Sequence, residues 1–285
     1  MAIFLDCIPK NWQYSWIIFQ KKWQYFWIRQ CFSLQLAMDF TFFNGFVFAE
    51  MKIILFLFFK SIDMTTFDFF NILRSIPKTL RFNLHYFPFA TAIKMPVIVS
   101  HRTFLREMHG KVNLPENIET AMVKIGFGDV GHYDRKRSRT IWQVSGEVNF
   151  AGKASIGHGS KISVRGKLNL GSKFNITAES TIVCAKEITF GNDCLVSWDV
   201  LVMDTDEHPV FNKEHERINP DKPITVGDHV WIGCKCVLLK GAEIPNDTVL
   251  AAGTQLRSSF AGENQIVGGN PPAILKRDVT WEHAE

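Results

Sequence analysis

ITVGDHVWIGCKCVLLKGAEIPNDTVLAAGTQL, residues 224–256, keeps a count of six. Val226, Ile232, Leu238, Ile244, Leu250 and Leu256 are each six positions apart. Four residues after each of the first five come Val230, Cys236, Ala242, Thr248 and Thr254, all small or β-branched. A period of six is neither the 3.6 of a helix nor plain strand alternation. It is even, so the repeated residue returns to the same side of a strand. A tight turn in every unit would bend the chain at fixed intervals. Three units then make a triangular coil of about eighteen residues, and successive coils pair as parallel strands roughly 4.8 Å apart. The apolar residue fills the interior, and the small one fits a corner. A single unit buries little, so the array must stack to be stable. An ordinary β-sandwich would alternate within strands of irregular spacing, and five successive steps of six point instead to a solenoid.

The same count runs upstream through Phe150, Ile156, Ile162 and Leu168. It slips by two into Leu170, Ile176, Ile182 and Ile188, then slips again into Phe190, Val196 and Val202. Between Val202 and Val226 the frame survives, because 24 residues are four hexads, but the apolar pattern disappears. DTDEHPVFNKEHERINPDKP, residues 204–223, holds two histidines and six acids there. Such a segment reads as a loop extruded from one corner, over residues 203–225, and loops on rigid scaffolds are where function concentrates.

The remainder of the 285-residue chain divides by composition. Residues 1–64 are crowded with Trp, Phe and Tyr, but Lys10, Lys21, Lys22, Arg29, Asp39, Glu50, Lys52 and Lys60 cut them into apolar runs too short for a span of about twenty residues. The segment reads as membrane-interface material, as packing for the main domain, or as sequence upstream of the working protein, with Met51 and Met64 as alternative starts. No chemistry is assigned to it. Residues 65–109, punctuated by Pro77, Pro88 and Pro96, read as a connector and N-terminal cap with one short helical pattern. Residues 110–256 are the solenoid and 257–285 a C-terminal cap. The net charge of +4 is mild, and without a compact Lys/Arg stripe nucleic acid is not expected as a partner. The six cysteines are too sparse for a disulfide framework and read as reduced thiols of a cytoplasmic protein. Cys234-x-Cys236 lacks a second close Cys/His pair, so no metal is expected.

Three stretches resemble the hexapeptide-repeat acyltransferases, whose fold is the left-handed parallel β-helix. Residues 224–256 look like that family's closing coils, and IVGGNPPAILKR, residues 266–277, like the usual exit from the solenoid. SWDVLVMDTDEHP, residues 197–209, is the most specific. It is similar to the branch of galactoside and maltose acetyltransferases and, more closely, polysaccharide O-acetyltransferases. The resemblance covers roughly residues 110–277. It implies an all-β chain with an irregular or helical N-terminal segment, and a homotrimer with each loop reaching a groove between two prisms. It also implies acetyl-CoA as acyl donor and a sugar or glycan hydroxyl as acceptor. By this resemblance His208 is the catalytic base, while Trp231, Cys234, Ala251, Ala252, Lys276 and Arg277 meet the coenzyme. Cys234 departs from the small polar residue common at its position.

The chemistry suits the residue types. Acyl transfer from a thioester to a hydroxyl needs a base, and imidazole, with a reference pKa near 6.5, serves at neutral pH. Asp204, Asp206 and Glu207 are candidates to orient the ring. The competing reading of His208 is a hydrogen-bonded loop histidine, and that of Trp231 is interface packing. Lys276 and Arg277 read equally as a solvated cap, and Trp198 as an acceptor-site or subunit-contact residue. His158 and His229 occupy exposed-type hexad positions, and His215 a solvated turn. A γ-class carbonic anhydrase would need converging histidines on the coil faces, and a nucleotidyltransferase a Gly-rich phosphate loop; neither pattern is present. A non-catalytic solenoid scaffold is the alternative. Cytoplasmic localisation, with peripheral membrane contact through residues 1–60, completes the expectation.

Overall fold

The computed structural model describes residues 66–283, apart from residue 129. The readings placed on residues 1–64 lie outside the described residues. Among the described residues, two helices come first, α1 (Thr66–Tyr86) and α2 (Phe89–Ala92), and 22 strands follow. The first sheet contains, in spatial order, β1 (Val97–Val99), β4 (Val123–Phe127), β7 (Ala154–His158), β10 (Phe174–Ala178), β13 (Leu195–Val196), β16 (Trp231–Ile232), β19 (Thr248–Leu250), β21 (Gln265–Gly269) and β22 (Pro272–Arg277). The second contains β2 (Phe104–Glu107), β5 (Ile141–Val144), β8 (Lys161–Val164), β11 (Thr181–Cys184), β14 (Leu201–Met203), β17 (Val237–Leu239) and β20 (Gln255–Leu256). The third contains β3 (Lys111–Asn113), β6 (Glu147–Phe150), β9 (Lys167–Leu170), β12 (Glu187–Phe190), β15 (Ile224–Val226) and β18 (Glu243–Ile244). The chain visits the three sheets in turn, and every pairing is parallel until β22 folds back antiparallel on β21. This is the parallel β-solenoid that the repeat predicts, the left-handed parallel β-helix of the resemblance.

The ladder follows the hexads. Ile156, Ile176, Val196, Ile232 and Leu250 are successive partners in the first sheet, all buried. Partners are 20 residues apart in the lower coils, as in Ile162↔Ile182 and Leu168↔Ile188, and 18 apart in the upper ones, as in Leu238↔Leu256 and Val226↔Ile244. The two slips in phase lie in the third sheet, where Leu168 with Leu170, and Ile188 with Phe190, both turn inward. A second inward residue two positions on keeps the strand's alternation while it lengthens the side of the prism.

Parallel strands begin at Val97, inside the stretch read from sequence as a connector. The helical pattern there also runs further than Pro77 suggested. α1 continues through this proline to Tyr86 because it is bound along its length. Ser75, Thr79 and Asn83, four apart on one face, accept from the amides of His101, Val99 and Val97 at 2.9, 3.0 and 3.3 Å. Asn83 also donates to the Val97 carbonyl at 2.7 Å. Four helical residues rise about 6 Å and two strand residues about 6.6 Å, so a side-chain stripe on a helix can match a strand edge. α1 therefore closes the edge that β1 would otherwise leave open. Its Phe82, fully buried, meets Trp142 edge-on at 5.4 Å. Among the described residues, no helix is long and apolar enough to cross a membrane.

Two insertions leave the prism. Residues 128–139 exit at the corner between first and second sheets, and residues 204–223 at the corner between second and third. The second exit has a local cause. In the coils below, the corner amides of 165, 166 and 167 donate to the carbonyls of Cys184 and Lys186 on the coil above. One coil higher those carbonyls are missing, because the chain departs. The buried carboxylate of Asp204 replaces them, accepting from the amides of Ala185, Lys186 and Glu187 at 2.7–2.8 Å. The Lys222 amide then donates to the Asp204 carbonyl at 3.2 Å and closes the base of the loop.

Candidate active site

His208 is exposed on the extruded loop, and Asn219 holds the backbone around it. The Asn219 amide donates to the His208 carbonyl at 2.9 Å and to the Asp206 carboxylate at 2.8 Å, and its oxygen accepts from the Val210 amide at 2.6 Å. Asp206 also pairs with Lys240 on the coil above; these two hydrogen bonds, Lys240 first, hold its carboxyl below the usual carboxylate range. Glu207 pairs with Arg165, two coils below, at 3.0 Å. The loop is thus tied up and down the corner, and Glu207, at φ 61°, turns the chain so that the His208 amide reaches the Asp206 carbonyl at 2.7 Å.

All three acids proposed to orient the imidazole are engaged elsewhere. Asp204 seals the corner, Asp206 binds Lys240 and Asn219, and Glu207 binds Arg165. Their carboxylates are spent on fixing the loop, and among the described residues the His208 ring has no hydrogen-bond partner within the chain. Further along, Phe211 bridges Arg217 in a small hairpin that exposes Val210, Phe211 and Ile218, and His215 turns at its tip with φ 61°.

The other site residues gather on a different corner. Trp231, 38% exposed on β16, donates to the Ser197 hydroxyl at 3.1 Å. Cys234 lies where the first sheet turns into the second, and Ala251 and Ala252 occupy the same corner one coil up. Lys276 and Arg277 extend from β22, which covers the last coil of that sheet. The second sheet separates this group from His208. A four-residue strand spans about 13 Å, so one chain carries the two halves on separate corners.

Several neighbours escaped the periodic reading. Trp281, in the C-terminal cap, stacks on His229 with ring centres 4.5 Å apart and lies 6.1 Å from Trp231. Its indole donates to the His229 carbonyl at 2.8 Å. His229 is therefore half-covered and bonded to Asp247 at 2.9 Å, not a solvated coil residue. His158 is 2% exposed and shares a hydrogen bond of 2.9 Å with Ser138 of the lower insertion, which corrects its exposed reading. That insertion climbs the first corner. Ser138 donates to Glu179, Tyr133 to Asp199, and His132 meets Trp198 edge-on at 4.6 Å. Burial and the Asp199 carboxylate push the Tyr133 phenol up to about 12. Trp198 thus packs under this insertion. Arg135, Lys136 and Arg137, then Arg139 after one serine, form a compact basic run, which corrects the reading that the sequence has none.

No family model matches the chain. Among curated proteins, the polysialic acid O-acetyltransferase of Escherichia coli O1:K1 / APEC is 27% identical over 128 residues, 45% of this chain and 40% of that protein. The polysialic acid O-acetyltransferase of Neisseria meningitidis is 33% identical over 121 residues, 42% of this chain and 54% of that protein. The chain spans about half the length of these curated relatives. Among solved structures, that of the polySia-specific acetyltransferase NeuO aligns over 64% of this chain and 73% of its own, at 22% identity and a TM-score of 0.46. The hexad count and the three-sheet ladder make this chain a hexad-repeat parallel β-helix, and over its solenoid it is similar in sequence to polysialic acid O-acetyltransferases.

Proposed function

We propose that the protein transfers an acetyl group from acetyl-CoA to a hydroxyl of a sugar or polysaccharide, with His208 as general base and a second copy of the chain completing each site. The single observation behind this reading is the split just described. His208 is held outward on one corner, while Trp231, Cys234, Ala251 and Ala252 share another. A groove between copies would join the halves, and closed threefold symmetry would give each groove the same lining. In that groove the neutral imidazole takes the acceptor hydroxyl's proton as its oxygen attacks the thioester carbon. A backbone N–H holds the tetrahedral oxyanion. Collapse breaks the carbon–sulfur bond, and the imidazolium returns the proton to the departing thiolate. Trp231 and the two alanines border the pantetheine arm, and Lys276 and Arg277 meet the phosphates.

The test is an acceptor screen with purified protein and acetyl-CoA, following free thiol and acetylated product. Acceptor-dependent thiol release is the expected result. Coenzyme binding with no turnover across a broad glycan set would favour a scaffold and reject the reading.

A further inference from the structure

α1 gives one side to β1 and the opposite side to solvent. Ser75, Thr79 and Asn83 hold the inner side against the strand edge. Eleven residues make about three helical turns, so Leu73 and Leu84 stand in one line on the outer side, at 45% and 55% exposure. Phe70, and Phe89 of α2, are exposed as well. Arg74 and Arg81, also exposed and two turns apart, run beside the leucines. The cationic side continues past the helix. Lys78 donates to the carbonyls of His101 and Thr103. Between these two, Arg102 donates to the Lys136 carbonyl, and Arg139 lies over the Phe104 ring at 4.5 Å. Buried Ser138, bonded to His158 and Glu179, pins that loop, and Lys136, Arg137 and Arg139 are exposed on it. Burial and the charges of Arg102, Arg74, Lys78 and Arg135 hold His101 below the ordinary histidine range. Burial, with Arg139 and Arg81, lowers Lys78 in the same way. Asp134, bonded to the Lys136 amide and 3.6 Å from Arg137, offsets a small part of this charge. From Arg74 to Arg139 the sequence has twelve Lys and Arg against five Asp and Glu, so the overall charge of +4 conceals a basic face edged by an apolar line.

We propose that this face docks the protein on an anionic membrane surface, with the outer line of α1 entering the headgroup layer and the cations beside it meeting lipid phosphates. The inference stands apart from the acetyl-transfer reading. Nucleic acid would use the charge but leave the exposed leucines without a partner, because its backbone is met by cations and hydrogen bonds. A second copy presenting the same face would set like charge against like. A membrane takes both features. Leucine and phenylalanine enter the boundary between headgroups and acyl chains, while lysine and arginine stay with the phosphates. The chain reaches α1 from residues whose sequence sets Trp16, Trp23 and Trp27 beside Lys21 and Lys22, a mixture favoured at membrane interfaces. Docking at this end leaves the candidate site free. In the first sheet β16, which carries Trp231, is five strands from β1, about 24 Å at roughly 4.8 Å a step.

The experiment sediments the full chain with phosphatidylcholine vesicles, with and without phosphatidylglycerol. It compares wild type with a leucine variant, Leu73→Ser, Leu84→Ser, and a charge variant, Arg74→Gln, Arg81→Gln, Lys136→Gln, Arg137→Gln. Lys173→Gln, Arg257→Gln is a remote change of like sign. Wild type should sediment with the anionic vesicles and little with the neutral ones. The charge variant should bind anionic vesicles roughly tenfold more weakly or worse at low salt, with a flatter salt dependence, because exposed charge contacts are screened. The leucine variant should lose roughly tenfold while keeping the salt dependence. The remote variant should bind as wild type, and circular dichroism should match throughout. The charge variant alters exposed side chains alone, so it carries the test if the leucine variant fails to fold. Wild-type binding in the charge variant, or in a folded leucine variant, assigns membrane contact to other parts of the chain and overturns the proposal. Equal binding to neutral vesicles overturns it as well, as does tighter binding of duplex DNA that ignores the leucine change. A fall in particle mass by light scattering in the leucine variant would put a second copy on the apolar line, and would overturn it too.

Discussion

At the scale of single residues, two neighbours in one motif have opposite duties. His208 faces solvent, and its proposed role needs only a positioned ring of suitable acidity. Replacing it by alanine removes nothing from the hexad core. Turnover should fall by roughly two to four powers of ten, with acetyl-CoA affinity nearly unchanged, because the base acts on the acceptor. His215→Ala, at the hairpin tip, should cost far less, and near wild-type turnover in His208→Ala would defeat the assignment. Asp204 is structural. Its carboxylate serves three amides at a buried corner. Asp204→Ala should destabilise the fold by about 3 kcal/mol in urea titration, the range for hydrogen bonds to a charged group plus stranded donors. A loss within a few tenths would mean that water replaces the carboxylate. Both residues stand in DTDEHP, where chemical type alone could not divide the work among three acids.

At the scale of elements, the extruded loop is a small folded unit. Asn219 contacts Asp206, His208 and Val210, and Lys240 reaches both Asp206 and the Asn219 carbonyl. Asn219→Ala should lower turnover by about tenfold or more, since small displacements of a catalytic group are costly. It should leave the unfolding midpoint within about 1 °C, because the loop sits outside the core. A large drop in midpoint with normal turnover would show that the loop braces the prism instead. The sequence supplied the loop's limits, since the frame resumes at Val226, but gave no sign of Asn219. Contacts across eleven or thirteen residues of irregular chain have no period to betray them. α1 was half legible for the same reason. Its apolar pattern predicted a short helix, while the polar stripe of Ser75, Thr79 and Asn83 gains meaning only against the edge of β1.

At the scale of the whole molecule, the proposed function has the two halves of the candidate site meet between copies of the chain. Light scattering should report three chains per particle, and a fully active monomer would reject both the oligomer and the shared site. Starting the chain at Met64 keeps α1, and with it the cap on β1, so that truncation should fold and turn over. Starting at Lys94 removes Ser75, Thr79 and Asn83 and opens the first sheet's edge. That shorter chain should aggregate, as measured by sedimentation after expression.

The hexads by themselves determined the solenoid, its inward residues and the place of its main interruption. Each is a local rule repeated, and repetition survives in one dimension. The tertiary structure decided which corner each insertion leaves, that His158 and His229 are covered, that the acids near His208 have other partners, and that cations from α1, the turn after β1 and residues 128–139 form one face. Those facts depend on which coil lies above which. Stacking brings together residues 20, 36 or 66 positions apart, and no short window along the chain contains them.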